Sequence, residues 1–289
     1  MIIDVRSELM NINTKIDFEI PDKQPIDVAL KRTTHMAIVA HQDDLEIMAY
    51  DMISTCYKSK KKWFFGVVVT DGAKSSRQGR FEHLTDEEMK EIRKKEQIDA
   101  ANLGKYGALA MLDYPSESIK KDPYEAILVI KDLIKRSKPQ VIYTHNLADK
   151  HDTHIAVASL VIKAIRLLEI KDRPKILYGV EVWRSLDWLD DHDKIKLDTS
   201  RYPHLAKKLI QAFASQVDGG KRYDQATLGR RYANATYLSP HEVDQLSSIQ
   251  YAMDLTPLIQ DDSLDLKTFI NQKIDKFHQD VSERMDRFK

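Results

Sequence analysis

From residue 36 onward, short apolar runs rich in β-branched residues alternate with longer amphipathic segments, and this alternation limits the fold more than any other feature of the chain. The apolar runs lie at 36–40, 64–70, 108–112, 140–144 and 176–183. Helical spacing of apolar residues marks the segments 44–58, 85–103, 123–136 and 151–169. Repeated β-α units of this kind predict an α/β fold, Rossmann-like, in which helices cover both faces of a mostly parallel sheet.

The two ends of the chain are less regular than its centre. Residues 1–33 are predicted to be an N-terminal extension, and 34–289 a single domain with C-terminal helical additions from about residue 204. These additions are the helical segments 204–217, 222–235 and 265–288. The last of them is charged and amphipathic, so we expect it to pack beside the core or against another subunit in a homo-oligomer.

Composition argues against several classes of function. The 45 basic side chains balance 45 acidic ones, which leaves no global basic field for nucleic acid. Cys56 is the only cysteine and the first fifteen residues lack the apolar stretch of a secretory signal, so a cytoplasmic protein is expected. The apolar run at 63–69 is far shorter than the roughly 20 residues of a membrane-spanning helix, so no membrane partner is expected. The glycines form no dinucleotide or P-loop motif.

Ionisable residues follow the run 36–40 directly, in the sequence HQDDLE at 41–46. Ligands of open α/β sheets collect at the carboxyl ends of strands, so these side chains stand where a site is expected. A polar turn with a helix cap would explain an isolated Asp pair, but it would leave His41 unexplained. Histidine nitrogens and carboxylate oxygens are good zinc ligands, and neighbouring side chains point in different directions. One aspartate can therefore bind a metal while the other faces a substrate.

A second cluster follows the run 140–144. Three histidines and two aspartates lie within ten residues: His145, Asp149, His151, Asp152 and His154. His151 and His154 are three positions apart at the start of a helix and can project from one face. A histidine pair alone is more often solvated than bound to metal. Two strand ends that each supply histidine and aspartate favour a metal site with an open position for water.

The sequence resembles the PIG-L/LmbE family of zinc-dependent N-acetylglucosaminyl deacetylases over about residues 34–220. AHQDDLE at 40–46 resembles the family's AHPDD(x)E, with Gln42 in place of proline, and HDTH at 151–154 resembles HPDH, with Thr153 in place of aspartate. Further matching segments are TDGA at 70–73, RKKE at 93–96 with AANLG at 100–104, EVW at 181–183 and SQ at 215–216.

The resemblance implies a role for each matching residue. His41, Asp44 and His154 would be the ligands of Zn²⁺, and Asp43 would be the general base that takes a proton from water. His151 would support the oxyanion as an imidazolium and protonate the leaving amine. The implied reaction is hydrolysis of the N-acetyl group of a small-molecule amino-sugar conjugate.

Two other residues are candidates for the site. Arg93, in the 85–103 helix, could clamp a hydroxyl or carboxylate of the substrate, although an Arg-Glu pair on a helix is as often structural. His145 ends a strand beside the proposed metal.

Three other functions stay open. A zinc amidase acting on a larger amide, such as a thiol conjugate, would use the same residues. A glycoside hydrolase would use Asp43 with a second carboxylate, but it would leave the histidines of both motifs without roles. A non-catalytic sugar-binding protein would keep the fold without the chemistry, although the proposed base and ligands are all present.

Overall fold

The structure, a computed structural model, describes residues 16–288, and within them eight strands form one sheet. The strands are β1 Asp17–Glu19, β2 His35–Val39, β3 Phe64–Thr70, β4 Ala108–Tyr114, β5 Val141–His145, β6 Ile176–Val180, β7 Lys194–Asp198 and β8 Ile249–Asp254. Their order across the sheet is β1-β4-β3-β2-β5-β6-β8-β7. The five strands β4, β3, β2, β5 and β6 are parallel, and β1, β8 and β7 add antiparallel edges. The predicted mostly parallel sheet is confirmed.

Helices follow most of the strands. They are α1 Ile26–Lys31, α2 Asp44–Met48, α3 Tyr50–Cys56, α4 Asp86–Gly104, α5 Ser116–Ile119, α6 Tyr124–Ser137, α7 Asp152–Arg166, α8 Pro203–Gln211, α9 Ala214–Gln216, α10 Tyr223–Thr236, α11 Pro257–Gln260 and α12 Leu266–Asp286. A capping box sets the start of α4, because the Thr85 hydroxyl accepts the Glu88 N–H while the Glu88 carboxylate accepts the Thr85 N–H. This fixes the helix that carries Arg93.

Alternation along the central strands divides the core between the two faces of the sheet. Met36 and Ile38 of β2 pack in one buried cluster with side chains of α6 and α7. Ala37 and Val39 pack in the other, with α2, α3 and α8. A period of two along each strand and apolar stripes on the helices produce this three-layer arrangement. The predicted helices on both faces are confirmed.

Several element boundaries differ from those predicted. The helix expected over 44–58 is two helices, because Ala49 at φ −119° and ψ 24° interrupts it, and the helix expected over 204–217 ends at Gln211. The strand expected over 176–183 ends at Val180. Strands β1, β7 and β8 were not predicted. The edge strands β1 and β7 lack the continuous apolar run of a strand buried on both faces, and in β8 Gln250 interrupts such a run.

The predicted N-terminal extension enters the same sheet. Residues 1–15 lie outside the described residues, but β1 pairs with β4 and α1 contributes Ala29 and Leu30 to the core. At the other end, β8 follows the helices that begin near residue 204 and lies between β6 and β7. Within residues 16–288, no helix is both long enough and apolar enough to cross a membrane.

Candidate metal centre and active site

The site lies where the chain reverses its direction of progress across the sheet. From β2 the chain builds outward through β3 and β4, then returns to place β5 on the other side of β2. The loops that leave β2 and β5 therefore diverge to opposite faces and open a crevice between them, which is where open α/β sheets bind ligands. The first loop carries His41, Asp43 and Asp44, and the second carries His151 and His154.

The three predicted metal ligands converge on one point in this crevice. His41 Nδ1 lies 3.1 Å from His154 Nε2 and 3.2 Å from Asp44 Oδ2. Asp44 Oδ2 lies 3.4 Å from His154 Nε2. Ligand atoms at about 2.0–2.2 Å from a tetrahedral zinc ion are about 3.3–3.6 Å from one another. The donor set and its spacing are therefore suited to a zinc ion.

His154 also belongs to two other sets of possible metal donors, in each of which the donor atoms lie within 4.8 Å of one another. One set consists of ring nitrogens of His41, His151 and His154, and the other of donor atoms of Asp44, His145 and His154. His145 is already engaged, because its Nε2 accepts the backbone N–H of Ala40 at 2.8 Å. That nitrogen has one lone pair, so His145 joins the two strand ends instead of offering it to a metal.

Asp149 holds His154 in the orientation that a ligand needs. Its Oδ2 accepts the Nδ1–H of His154 at 2.8 Å and the N–H of Val182 at 3.0 Å, while Oδ1 accepts the N–H of Trp183 at 3.2 Å. A proton on Nδ1 leaves Nε2 free to face Asp44, which is how carboxylates tune histidine ligands. The sequence motifs assign Asp149 no role. An acidic residue in the same loop as a candidate histidine was the available signal.

Asp43 and Asp44 are adjacent but point into different surroundings. Burial opposes the charge of Asp44, but His154 and His145 beside it hold the pKa of that carboxyl well below its usual range. Burial raises the pKa of Asp43 to about 7, opposed by Arg93 and reinforced by the charge of Asp44. The two carboxyls are thus separated in proton affinity by their environments.

Arg93 supports Asp43 from the helix α4. Its guanidinium donates to Asp43 Oδ2 at 2.8 Å, to the carbonyl of Gln42, and to Glu96 Oε2 at 3.3 Å. Glu96 in turn accepts the N–H and hydroxyl of Ser215 at 2.6 and 2.7 Å. The side chain of Arg93 borders the cavity, but its hydrogen bonds within the protein make it a positioning residue for Asp43.

Asp43 itself has a left-handed backbone, with φ 83°, immediately before α2. This conformation is unfavourable for a residue other than glycine, and it is retained where surrounding contacts enforce it. The Asp43 N–H donates to Gln97 Oε1 at 3.2 Å, which adds to the contacts from Arg93. The strained turn separates the directions of the two neighbouring carboxylates.

Gln42, which stands where the resembled motif has proline, connects the ends of β2 and β3. Its amide donates to the carbonyl of Thr70 at 3.1 Å. Gly72 has φ +71°, and a Cβ built on it would lie 2.3 Å from Gln42 Oε1. The TDG turn after β3 therefore needs glycine both for its backbone and for the space that Gln42 occupies.

His151 faces the same crevice with less support. It precedes α7, and its Nδ1 accepts the N–H of Thr153 at 3.3 Å. Among residues 16–288, no carboxylate is hydrogen-bonded to its ring, and Asp152 is exposed. Burial, with the neighbouring rings of His154 and His41, lowers the pKa of His151 to about 4. The ring is therefore neutral at pH 7 with its proton on Nε2, which differs from the charged imidazole that the resemblance implied.

All six predicted site residues border one cavity of about 510 Å³. They are His41, Asp43, Asp44, Arg93, His151 and His154. The wall also includes Trp183, Tyr223, Lys221 and the turn at 71–76. The cavity holds a candidate metal centre at its base and aromatic and basic side chains toward its mouth.

The comparison with protein families agrees with this geometry. Residues 36–165, which contain both strand-end loops, match the family model described as PIG-L: GlcNAc-PI de-N-acetylase. This part of the chain is therefore similar to the PIG-L family. The PIG-L match ends in α7, directly after the loop that carries His151 and His154. No curated protein sequence matches the chain.

Solved structures share the fold of this chain. A conserved protein from Thermus thermophilus is 17% identical with a TM-score of 0.62, and the match covers 77% of this chain and 94% of the other. N,N′-diacetylchitobiose deacetylase from Pyrococcus horikoshii is 16% identical with a TM-score of 0.60, covering 90% and 96%. The 4-carboxy-2-hydroxymuconate hydratase from Pseudomonas putida is 16% identical with a TM-score of 0.58, covering 77% and 96%. At these identities the likeness establishes the fold alone.

Proposed function

We propose that this protein is a zinc-dependent hydrolase that removes the N-acetyl group from an N-acetylglucosaminyl-type amino-sugar conjugate. One observation carries the proposal: donor atoms of His41, Asp44 and His154 lie 3.1–3.4 Å apart beside the separately held carboxylate of Asp43. The PIG-L description, a de-N-acetylase acting on a GlcNAc conjugate, supports the choice of reaction and of substrate class.

His41, Asp44 and His154 would hold the metal. When bound there, zinc would supply Lewis acidity toward the amide and lower the pKa of water to about 7. The contribution of the protein is to keep the three donors in place, chiefly through the contact of Asp149 with His154. In addition, the backbone N–H of Ala40 occupies His145 Nε2, so that this nitrogen does not compete for the metal.

Asp43 is the proposed general base. Its carboxylate borders the cavity beside the donor atoms, and its pKa of about 7 is close to the value at which a base is most effective near neutral pH. Arg93 fixes Oδ2, and this directs the proton transfer to the remaining oxygen, Oδ1. The base is therefore held in position by Arg93 before the substrate enters.

His151 is proposed to act on the other side of the amide. Its neutral ring can donate a hydrogen bond from Nε2 to the carbonyl oxygen as negative charge develops there. Negative charge developing beside the ring favours uptake of a proton from solvent, which the ring then passes to the leaving amine, while Asp43 returns to solvent the proton that it took from water. The half-exposed position of His151 on the cavity wall allows contact with a bound substrate.

The direct test is to incubate zinc-loaded protein with a panel of N-acetylglucosaminyl conjugates and to measure acetate and free amine. We expect the two products in equal amounts, loss of activity after chelation, and recovery when about one zinc per chain is restored. A metal-free protein that keeps full activity would contradict the proposal. Release of a larger acid in place of acetate would identify an amidase.

Two alternatives are tested by the same experiment. The hydratase with this fold shows that the fold does not decide the reaction, and addition of water to a carbon-carbon double bond would yield neither acetate nor amine. A glycoside hydrolase would release a reducing sugar and survive chelation. Binding of the conjugates with no product at any metal loading would indicate a sugar-binding protein.

A further inference from the structure

Trp183 borders two cavities. One is the active-site cavity of about 510 Å³, and the other, of about 580 Å³, is bordered by residues of the segment 183–188. Trp183 is 37% exposed, and its ring is nearly parallel to that of His151, with the ring centres 6.3 Å apart. A substrate with its acetamide beside His151 therefore reaches Trp183 first when it extends beyond the active site.

The second cavity combines aromatic rings with polar groups of both signs. Its aromatic side chains are Trp183, Trp188, Tyr237 and Tyr251, and its charged ones are Arg184, Arg230, Lys194, Asp187 and Asp191. Tyr237 lies in the turn after α10, and it is 83% exposed. A tyrosine with so much exposed ring surface at the edge of a cavity is available for contact with a ligand.

The backbone around this cavity is firmly held. Arg230 donates to the carbonyls of Val182 and Arg184, and Glu181 accepts the indole N–H of Trp188 at 2.9 Å. The Glu181 carboxylate also accepts the N–H of Leu186 at 2.6 Å. These bonds fix the segment 181–188, which supplies Trp183 to both cavities, so the second cavity is formed before a ligand arrives.

We propose that the second cavity binds a further sugar unit of the substrate, on the far side of Trp183 from the amide that is cleaved. A sugar ring has apolar C–H faces, which suit aromatic rings, and hydroxyl edges, which both donate and accept hydrogen bonds. Arg184 can donate hydrogen bonds to sugar hydroxyls, and Asp187 and Asp191 can accept hydrogen bonds from them. This inference rests on the proposed function for the position of the first sugar.

Other ligands fit the cavity less well. A phosphate group would meet Asp187 as well as Arg184, since Lys194 already pairs with Asp191 at 2.7 Å and Arg230 with backbone carbonyls. A lipid chain would leave the charged side chains of the wall without water. A neutral, polyhydroxylated ring meets neither difficulty. The chemistry of the wall therefore selects a saccharide.

The test compares N-acetylglucosamine, N,N′-diacetylchitobiose and an aryl glycoside of N-acetylglucosamine as substrates of the zinc-loaded enzyme. We expect kcat/KM for the disaccharide to exceed that for the monosaccharide by about tenfold or more, since each added contact of this type contributes a few-fold. Tyr237→Ala and Arg184→Ala should each lower the disaccharide value by about three- to tenfold and leave the monosaccharide value unchanged. Neither residue borders the active-site cavity.

Tyr232→Ala is the matched control, because Tyr232 is an exposed tyrosine of α10, the helix that Tyr237 directly follows, and it borders neither cavity. Equal values for the monosaccharide and disaccharide, or equal effects of Tyr237→Ala and Tyr232→Ala, would overturn the inference. The choice of a saccharide would be overturned if kcat/KM for the aryl glycoside exceeded that for the monosaccharide by as much as the disaccharide value does, and fell by as much in Tyr237→Ala.

A binding measurement separates this inference from the proposed function. Two of the three tryptophans, Trp183 and Trp188, border the second cavity, while Trp63 is covered by the guanidinium of Arg32 at 3.7 Å. Chitobiose, which carries no acetyl group, should change the tryptophan fluorescence in wild type and bind at least threefold more weakly to Tyr237→Ala. Glucosamine should bind both proteins equally. This result would support the second sugar site even if no acetyl group were hydrolysed, and its absence would overturn it.

Discussion

The two loops that form the site are supported in different ways. In the loop after β2, Asp43, Asp44 and Glu46 are all buried and their side chains are held from other elements of the domain. In the loop after β5, Asp149 is buried and accepts three backbone N–H groups and one imidazole N–H, whereas His151 is half-exposed with one backbone hydrogen bond. The β2 loop is thus preorganised throughout, and the β5 loop combines a fixed ligand with a less constrained donor.

The difference follows from what covers each loop. Gln97 and Tyr106 donate to the Glu46 carboxylate at 2.9 and 2.6 Å, and Arg231 of α10 donates to the Glu46 carbonyl at 2.7 Å. The β5 loop instead borders the cavity at His151. Buried charges require partners, while a group that must meet a substrate has to remain accessible. The following variants test whether the two loops divide the work in this way.

The largest effects are expected at the adjacent aspartates. Asp44→Ala should lose zinc and activity together, because one of three protein ligands is removed. Asp43→Asn should keep zinc and lose turnover by about two to four orders of magnitude, because an amide cannot accept the proton. Zinc stoichiometry and acetate release at saturating substrate measure both, with circular dichroism as a control for folding. Near-normal turnover in Asp43→Asn, or zinc loss equal to that of Asp44→Ala, would show that the assignment of base and ligand is wrong.

His151→Ala tests the less constrained side of the site. We expect turnover to fall by about two to four orders of magnitude with zinc retained, the usual contribution of a positioned acid or base. His192→Ala, at an exposed histidine outside the site, is the control. If His151→Ala released the metal, His151 would be a ligand, and the set His41, His151 and His154 would replace the one proposed.

Asp149→Asn tests the support of the fixed ligand. Both oxygens of Asp149 accept N–H groups, so an amide must turn its NH₂ toward a donor. We expect zinc affinity or activity to fall about 10- to 100-fold, as is typical when the partner of a histidine ligand is changed. Asp152→Asn, at the exposed acid three positions later, should change neither. Competition with a chelator measures the zinc affinity. If Asp152→Asn alone lowered zinc affinity or activity strongly, Asp152 and not Asp149 would be the supporting acid.

The smallest effect concerns the rigid connection between β2 and β3. Gly72→Ala should lower the free energy of unfolding by about 1–3 kcal/mol, through both the left-handed backbone and the contact with Gln42. Gly79→Ala is the matched control, because Gly79 has φ +58° but nothing within 4 Å of its Cβ position. Urea unfolding should show the larger loss at Gly72. Equal losses would mean that Gln42 moves aside at no measurable cost.

The sequence alone determined the class of fold and the two loops that carry the chemistry. Continuous apolar runs can be buried on both faces only in a central sheet, so β2 to β6 were predictable, and their carboxyl ends pointed to 41–46 and 145–154. These are local patterns of two to about fifteen residues. The resemblance added roles for His41, Asp43, Asp44, His151 and His154, and these roles stay predictions until the variants are measured.

Only the tertiary structure decided which groups contact one another. It placed β1 and β7 at the sheet edges and β8 between β6 and β7, paired Asp149 with His154, and paired Arg93 with Asp43. It also lowered the pKa of His151, through burial and two neighbouring imidazoles that are close in space. Hydrogen bonds and charges act over a few ångströms, and the residues that supply them here are as many as 185 positions apart along the chain, as Glu46 and Arg231 are. No local pattern of the sequence contains those distances.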